Sequence, residues 1–487
     1  MRTHPVIATV DSAIRFYAKD LHPKSMARLW RDLTFPNPEY INRVRFKKWV
    51  GATPEEIYLI ESDGNDVLSI PRGAVRLLQD AVAVAGDTVS FVDQRVSHPP
   101  IDFNLAFTLR DYQNTAAIRL ARQVQGCAVI PCGGGKTVVG MGVMAKLRQP
   151  AIILVHTTDL LEQWQSTIRD AFGIEPGAIA DGKVQLEDIT VAMVQTLTNL
   201  DETALTQIGQ RFGVVILDEA HHAPATVFRS ILSVFAGKYR FGLTATPDRA
   251  DGLSVLLELC IGPMVFQIGH QQLVDGGHLI IPEVAFIETG CAPSGETHAA
   301  VISELVKNHT RNELIVALAA HEANQGRSVL ILSGRVDHCG LLAKKLKAKG
   351  VSVEALTGKV PKAKRSDIIE RFKSGALRVV CATSLADEGL DVSRLERLIL
   401  ATPAKAEGRT IQRLGRLMRP HPLKETPILY DLVDSAPMTR KQQAARRRAY
   451  KKVLGKDAPG LCSAHAVVSS RDPSTPANQP IYPTGSR

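Results

Sequence analysis

The stretch CAVIPCGGGKTVVGMGVMAKL, residues 127–147, runs from a short apolar segment through three glycines into a lysine, a threonine and a second apolar segment. Glycines let the backbone turn tightly, so that successive N–H groups point at phosphate oxygens, and the following helix N-terminus adds unpaired donors. We expect Lys136 to neutralise the β- and γ-phosphates of a nucleotide and the Thr137 hydroxyl to ligate Mg²⁺. The glycines of the turn are Gly133, Gly134 and Gly135. The stretch therefore predicts a strand, a phosphate-binding turn and a helix, although Ile130 replaces the first glycine of the strict motif.

The segment VVILDEAHH, residues 214–222, is another apolar run and ends in two adjacent carboxylates followed by Ala and two His. At the carboxyl end of a buried strand, where α/β sheets bind their ligands, Asp218 is expected to hold Mg²⁺ directly or through water. Glu219 is expected to orient or deprotonate the attacking water. The alternative is a pair of solvated acids that cap the next helix. Since no other His or Cys spacing predicts a metal cage, Mg²⁺ bound through the nucleotide is the only metal that we expect.

Short β-branched runs alternate with longer helix-patterned segments from about residue 105 to residue 435. The first series of expected strands is 127–131, 151–155, 189–194, 214–218 and 241–245. The second series is 328–332, 351–356, 378–383, 397–402 and 428–432. Continuous apolar runs are typical of parallel strands buried on both faces, and their alternation with helices predicts right-handed βαβ units. The sequence therefore predicts an α/β protein with two parallel-sheet domains, joined by a Gly-containing linker near 274–283.

The 487 residues carry 59 Lys and Arg against 49 Asp and Glu, a net charge of +10 that favours a polyanionic partner. Almost all of the surplus lies in residues 436–487, which contain ten basic and two acidic side chains. We expect a basic helix here, either solvated or in contact with nucleic-acid backbone, followed by a Pro- and Ser-rich disordered end. No apolar run is long enough to cross a membrane, and seven cysteines without a CxxC pair predict a cytoplasmic protein.

Residues 1–100 lack the strand–helix rhythm and are predicted to form a small α+β domain. The predicted domains are thus 1–100, 101–265, 266–435 and a tail at 436–487. In the first of these, four basic residues surround Trp49 in a patch that could contact a duplex or a junction, with a core position for Trp49 as the alternative. Those basic residues are Arg43, Arg45, Lys47 and Lys48.

The distal segment GRTIQRLGRLMRP, residues 408–420, contains two arginines at i, i+3 spacing on an expected helix. This spacing places Arg416 and Arg419 on one face. Their guanidinium groups could be solvated, or they could reach a triphosphate held by the first domain and act as arginine fingers.

Seven motifs stand in the order found in superfamily two helicases, and together they span roughly two-thirds of the chain. They are LRDYQ (109–113), PCGGGKT (131–137), LVHTTDLLEQW (154–164), DEAH (218–221), TATPDRADG (244–252), ATSLADEGLDV (382–392) and QRLGRLMR (412–419). The chain resembles the DEAD/DEAH-box branch that includes phage UvsW and the xeroderma pigmentosum group B-type DNA helicases. The resemblance implies two tandem RecA-like domains of the P-loop NTPase type and ATP as the nucleotide.

The resemblance also implies roles for single residues. Gln113 is implied to read the adenine edge, and Arg416 and Arg419, with Gln412 beside them, to be the fingers. Three residues are implied to couple hydrolysis to domain movement: His221, Thr244 and Thr246. Two are implied to line the interdomain cleft: Gly389 and Asp391. Those implied to contact nucleic-acid backbone are Thr158, Gln195, Thr196, Thr357, Gly358 and Thr383, although the threonines could instead be helix caps or strand ends.

The function predicted from these patterns is an ATP-driven motor that moves along, unwinds or remodels duplex or branched DNA without reading its sequence. Lys136, Asp218 and Glu219 are its predicted catalytic residues on the first domain. Three alternatives stay open: an RNA helicase, the motor subunit of a restriction or defence complex, and an ATP-dependent binding switch that does not unwind.

Overall fold

The structure is a computed structural model, and it describes residues 5–220, 226–245, 254–383, 392–403, 407–455 and 461–463. The chain divides into two compact units. The first comprises Met1–Pro131 with Gly135–Ile268, and the second comprises Cys132–Gly134 with Gly269–Arg487. None of the helices in the described ranges is both long and apolar enough to cross a membrane.

The first unit begins with a mixed five-stranded sheet, which confirms the predicted small α+β domain. In order across the sheet, the strands are Glu61–Ser62, Val67–Ile70, Ile14–Tyr17, Val6–Val10 and Val89–Asp93. Burial alternates along Val6–Val10, because successive side chains of a strand point to opposite faces. The surrounding elements are the helices Pro23–Asp32, Pro38–Arg45 and Val75–Ala83, the 3₁₀ turns Ala18–Asp20 and Arg72–Ala74, and a two-stranded antiparallel sheet of Thr34–Pro36 with Glu56–Tyr58.

Buried contacts join this N-terminal sheet to the rest of the same unit. The buried Arg72 guanidinium donates to the backbone carbonyls of residues 237 and 238, each at 2.7 Å. Arg240 donates in the opposite direction to the carbonyl of Ser12 at 3.0 Å. The helix Ser254–Cys260 inserts two leucines into the core of the N-terminal sheet. Residues 1–100 therefore share a core with the residues that follow them. Removal of residues 1–100 would expose those two leucines to solvent.

The rest of the first unit is an eight-stranded sheet that is parallel except for one antiparallel pair at its edge. In order across the sheet, the strands are Lys183–Gln185, Gly177–Ala180, Ile189–Met193, Ala151–Val155, Val214–Asp218, Tyr239–Thr244, Gln125–Val129 and Met264–Gln267. The helices are Asp111–Ala121, Lys136–Leu147, Thr158–Phe172, Val194–Leu197, Glu202–Arg211, Thr226–Leu232 and Ser254–Cys260.

All five strands predicted for this domain are present, which confirms the parallel α/β sheet. The three unpredicted strands are short and contain one β-branched residue each: Gly177–Ala180, Lys183–Gln185 and Met264–Gln267. Because the last of them pairs with Gln125–Val129, the first domain extends past its predicted end at residue 265.

The second unit contains a seven-stranded parallel sheet in which all five predicted strands are present. In order across the sheet, the strands are Val353–Leu356, Val379–Ala382, Val329–Leu332, Arg397–Leu400, Ile428–Val433, Glu283–Glu288 and Leu461–Ser463. The helices are His270–Asp275, His298–Lys307, His309–Asn324, Val336–Ala348, Lys362–Ser374, Glu407–Leu417 and Pro437–Leu454. The predicted linker at 274–283 overlaps the end of the first of these helices and the start of the strand Glu283–Glu288, inside the second unit.

The helix Pro437–Leu454 packs onto the second sheet, so its prediction as part of a separate tail that begins at residue 436 is wrong. Arg446 donates to both carboxylate oxygens of Asp431 at 2.8 and 2.7 Å, and the Tyr450 hydroxyl donates to the same carboxylate at 2.9 Å. All three side chains are buried. Net charge along a sequence does not reveal that a basic side chain pairs with an acidic one on a distant strand. The disordered end predicted after this helix lies outside the described residues.

Candidate active site

The phosphate-binding turn ends where the helix Lys136–Leu147 begins, at Gly135. Gly135 has a φ of +75°, and a Cβ built at this position would lie 2.6 Å from Nε2 of Gln113. Only glycine tolerates both the left-handed backbone and so close a neighbour. The predicted Lys136 and Thr137 therefore occupy the first turn of this helix, where its unpaired N–H groups are directed at a bound anion.

Gln113 belongs to the first turn of the helix Asp111–Ala121 and lies directly against the glycine turn. Its side-chain Oε1 accepts a hydrogen bond from the backbone N–H of Arg110 at 3.1 Å. Its Nε2 donates to the Tyr112 hydroxyl at 3.4 Å, a long contact. The structure thus brings Gln113 to the phosphate-binding turn, and its contact with adenine stays a prediction.

The two carboxylates of the second motif have different surroundings. Glu219 Oε1 lies 2.5 Å from Lys136 Nζ, and the exposed fractions of these two side chains are 13% and 12%. The backbone of Glu219 has a φ of +48°, in the left-handed region that residues other than glycine seldom adopt. Non-glycine residues in this region are concentrated at functional sites, where surrounding contacts hold them in place. The structure therefore brings the predicted lysine and the predicted base into one partly buried ion pair.

Asp218, the last residue of the strand Val214–Asp218, is buried and fixed by two donors. The indole Nε1 of Trp164 donates to its Oδ2 at 2.8 Å, and the backbone N–H of Glu219 donates to its Oδ1 at 2.8 Å. Burial raises the pKa of Asp218, although the nearby Lys136 charge opposes the shift. These two donors fix the orientation of the buried carboxylate.

Trp164 is the residue of this site that the sequence patterns did not single out. It is fully buried on the helix Thr158–Phe172, and a Cβ added to Gly140 would lie 2.5 Å from its ring. The signal that could have identified it is the apolar face of that helix, which is formed by Leu161, Trp164, Ile168 and Ala171. The N–H of a buried indole usually donates to a hydrogen-bond acceptor.

Thr244 ends the strand Tyr239–Thr244, which lies between the strand of Asp218 and the strand that precedes the glycine turn. It is fully buried, and its carbonyl accepts a hydrogen bond from the backbone N–H of Ile130 at 2.9 Å. Thr244 thus ends a strand that lies between the strand of Asp218 and the strand before the glycine turn, and its coupling role stays a prediction. The other predicted coupling residues, His221 and Thr246, lie outside the described residues.

In the first unit, the predicted nucleic-acid contacts follow two neighbouring parallel strands, Ala151–Val155 and Ile189–Met193. Thr158 is exposed in the first turn of its helix, whereas the cap is Thr157, whose hydroxyl accepts from the N–H of Leu160 at 3.3 Å. The alternative that Thr158 is a helix cap is therefore wrong. Gln195 is exposed next to Thr196. Its side-chain Nε2 donates to the carbonyl of His156 at 3.1 Å, two residues before Thr158.

In the second unit, Thr357 and Thr383 directly follow the neighbouring strands Val353–Leu356 and Val379–Ala382. Both threonines are buried, and Gly358 is exposed. The structure thus brings these three residues together at the carboxyl ends of two neighbouring strands. The two threonines occupy strand ends, which was the alternative to nucleic-acid contacts. Gly389 and Asp391, the predicted cleft residues, lie outside the described residues.

The predicted fingers lie at the end of the helix Glu407–Leu417. This helix contains Gln412 and Arg416, whereas Arg419 follows it by two residues. The prediction that both arginines lie on one helix is therefore wrong for Arg419, because the helix ends before the i, i+3 spacing is completed.

These features define the class of the protein. A glycine turn that leads into Lys-Thr, a partly buried Lys–Glu pair and an oriented Asp on a parallel sheet make the first unit a P-loop nucleotide hydrolase domain. A second parallel sheet of the same α/β type follows it along the chain.

Comparisons with known proteins give the family. Residues 106–249 match the family described as "Type III restriction enzyme, res subunit", and residues 309–421 match the "Helicase conserved C-terminal domain". The chain is 25% identical over 322 residues to the "DNA 3'-5' translocase XPB2" of Sulfurisphaera tokodaii, covering 58% of this chain and 72% of the relative. It is 29% identical over 324 residues to the "Probable helicase D10" of Escherichia phage T5, covering 66% and 70%.

A solved structure of S. cerevisiae Dbp5 bound to RNA and ADP BeF3 is similar in fold, with a TM-score of 0.55 at 14% identity, over 74% of this chain and 93% of that one. The chain is similar to the superfamily two helicases of the branch related to XPB, and it is an ATP-hydrolysing enzyme that binds nucleic acid. The predicted resemblance is confirmed.

Proposed function

We propose that the protein is an ATP-dependent DNA helicase or translocase that moves along, and unwinds or remodels, duplex or branched DNA. The observation that carries this proposal is the partly buried Lys136–Glu219 pair beside the oriented Asp218, in a chain whose helicase motifs stand in order. The relative from Sulfurisphaera tokodaii is named a DNA 3'-5' translocase, which supports DNA as the nucleic acid.

The residues present fit a nucleotide with Mg²⁺. The Thr137 hydroxyl and the Asp218 carboxylate are oxygen ligands of the kind that Mg²⁺ prefers, and the bound ion would neutralise charge on the phosphates. We propose that Lys136 turns from Glu219 to the β- and γ-phosphates when ATP binds, which leaves Glu219 to orient the attacking water. Gln412, Arg416 and Arg419 are proposed to stabilise the charge that develops during hydrolysis.

The hydrogen bond from Trp164 to Asp218 predicts a change in Mg²⁺ dependence. Trp164→Phe keeps most of the ring packing and removes the indole N–H, so Asp218 loses a donor that fixes its orientation. We expect the Mg²⁺ concentration for half-maximal ATP hydrolysis to rise by about 10–100-fold, as is usual when a partner of a metal ligand is removed. Trp30→Phe is the matched control, because Trp30 is exposed in the N-terminal sheet domain. An unchanged Mg²⁺ requirement in the Trp164 variant would contradict this role.

A panel of nucleic acids tests the proposed substrate. ATP turnover at saturating ATP should rise more with forked or duplex DNA than with RNA of the same sequence, and a labelled strand should be displaced from the fork. Stimulation by RNA alone would favour the RNA helicase, and ATP turnover without strand displacement or movement would favour the binding switch. The motor-subunit alternative, which the name of the first matching family also raises, requires a nuclease that copurifies with the chain.

A further inference from the structure

One surface of the N-terminal sheet domain is neither part of its core nor used by the ATP site. The turn after the helix Pro38–Arg45, which we term the aromatic turn (residues 43–51), presents Phe46 and Trp49 at its surface. Their exposed fractions are 64% and 84%. The alternative that Trp49 is a core residue is therefore wrong. Large exposed aromatic side chains that lie close together usually mark an interaction site.

The aromatic turn has a defined conformation. The N–H of Lys48 donates to the carbonyl of Arg43 at 2.8 Å, and the N–H of Lys47 donates to that of Val44 at 3.0 Å. These two bonds form a Schellman motif, in which Lys47 has the left-handed φ of +51° at the position where glycine is usual. A bulky basic side chain thus stands where the backbone favours glycine. The helix end is held by its own hydrogen bonds and not by a partner.

The ring of Trp49 is also held in place. A Cβ added to Gly51, which has a φ of +53°, would lie 2.9 Å from this ring, so the indole lies over the glycine. The Arg43 guanidinium donates to the carbonyl of Trp49 at 3.1 Å. An aromatic surface that is ordered before binding loses little conformational entropy when a ligand stacks on it.

The charge of the aromatic turn favours a polyanion. Residues 43–51 contain Arg43, Arg45, Lys47 and Lys48 and no acidic residue. Glu39 pairs with Arg43 at 2.7 Å, and Glu55 and Glu56 line a groove beside Arg45. Phosphates are therefore favoured on the side of Lys47 and Lys48. Basic side chains interleaved with aromatic rings are the combination that binds unpaired nucleic-acid bases, because the rings stack on the bases while the charges contact the backbone.

We infer that the aromatic turn stacks on the first unpaired bases at a fork or a single-stranded flank of DNA; this inference rests on the proposed function. Bases inside a duplex already stack on each other, so the exposed rings can engage only bases that are unpaired. The carbonyl of Tyr58, in the two-stranded sheet of the N-terminal domain, accepts a hydrogen bond from Arg229 of the helix Thr226–Leu232 at 3.1 Å. That helix follows the DEAH segment along the chain, so this contact joins the two-stranded sheet to the ATP-binding domain.

The test uses the full chain and a forked DNA with 2-aminopurine at the first unpaired position, beside a blunt duplex. Trp49→Leu and Phe46→Leu should each weaken binding to the fork by about fivefold or more, the loss of one stacked base. They should change blunt-duplex binding less than about twofold, because the charges are kept. The fluorescence change of 2-aminopurine on binding should be reduced in the Trp49 variant and largely restored in Trp49→Phe.

Tyr17→Leu is the matched control, because Tyr17 is exposed in the same domain with Lys19 Nζ 4.7 Å from its ring centre. Equal losses of affinity for the fork and the blunt duplex would overturn base stacking. Wild-type fork affinity in both leucine variants would also overturn it, and would assign the surface to a protein partner. If the wild-type protein binds no DNA and its ATPase is not stimulated by DNA, the proposed function fails first, so the two failures are distinct.

Discussion

Glu219→Gln is expected to lower the turnover number of ATP hydrolysis by about 10²–10⁴-fold, the usual contribution of a positioned general base. Gln has nearly the same shape as Glu, but it cannot accept the proton of the attacking water. The ion pair with Lys136 would become a hydrogen bond from the charged ammonium to a neutral amide oxygen. ATP binding should therefore survive, or become tighter, because Lys136 no longer has a carboxylate that competes with the phosphates.

Two measurements separate catalysis from binding in this variant. Turnover is measured at saturating ATP and nucleic acid, and affinity is measured with a fluorescent ATP analogue. Lys136→Ala should lose both turnover and affinity, whereas Glu219→Gln should lose turnover alone. Glu202→Gln is the matched control, since Glu202 is an exposed carboxylate of the same unit. Turnover within twofold of the wild-type value in the Glu219 variant would refute the assignment of this residue as the base.

The parts of the fold that were predictable are those with a local pattern. Ten apolar runs bounded by turn residues were all found as strands, and the glycine turn was found at the start of the helix Lys136–Leu147. Burial on both faces of a parallel strand requires a continuous apolar run, and phosphate binding requires glycines at fixed positions. Both requirements leave a signature in consecutive residues.

The parts that were not predictable depend on partners far apart in the sequence. Trp164 on the helix Thr158–Phe172 donates a hydrogen bond to Asp218 at the end of the strand Val214–Asp218, and the two residues are 54 positions apart in the sequence. The helix Ser254–Cys260 supplies leucines to a core that begins at Val6. In both cases the local sequence pattern does not indicate which distant residue is contacted. The roles of single residues were therefore less predictable than the location of the site.

Charge was the feature whose meaning changed most between the sequence and the structure. The basic residues after 435 were expected to contact nucleic acid or solvent, but Arg446 pairs with Asp431 inside the second unit. Burial alone would lower the pKa of Arg446, yet the Asp431 charge outweighs it and raises this pKa above its ordinary value. A side chain held in this way is part of the core of the second sheet.

Arg446→Ala should therefore destabilise the second unit and not merely weaken DNA binding. Removal of one partner of a buried ion pair leaves the other charge buried and uncompensated, at a cost of about 3–5 kcal/mol. Since each kcal/mol lowers the unfolding midpoint by about 2–4 °C in a domain of this size class, thermal unfolding should begin well below that of the wild type. Circular dichroism on the full chain measures this shift.

Arg448→Ala separates stability from electrostatic binding. Arg448 lies two residues further along the same helix and is exposed, so its removal should change the free energy of unfolding by no more than about 0.5 kcal/mol. Both variants remove one positive charge. If the helix were an electrostatic tether, each would weaken DNA binding and reduce its salt dependence to the same extent, with wild-type unfolding midpoints. The buried pair instead requires that only Arg446→Ala lowers the midpoint, because only Arg446 has its charge compensated inside the fold.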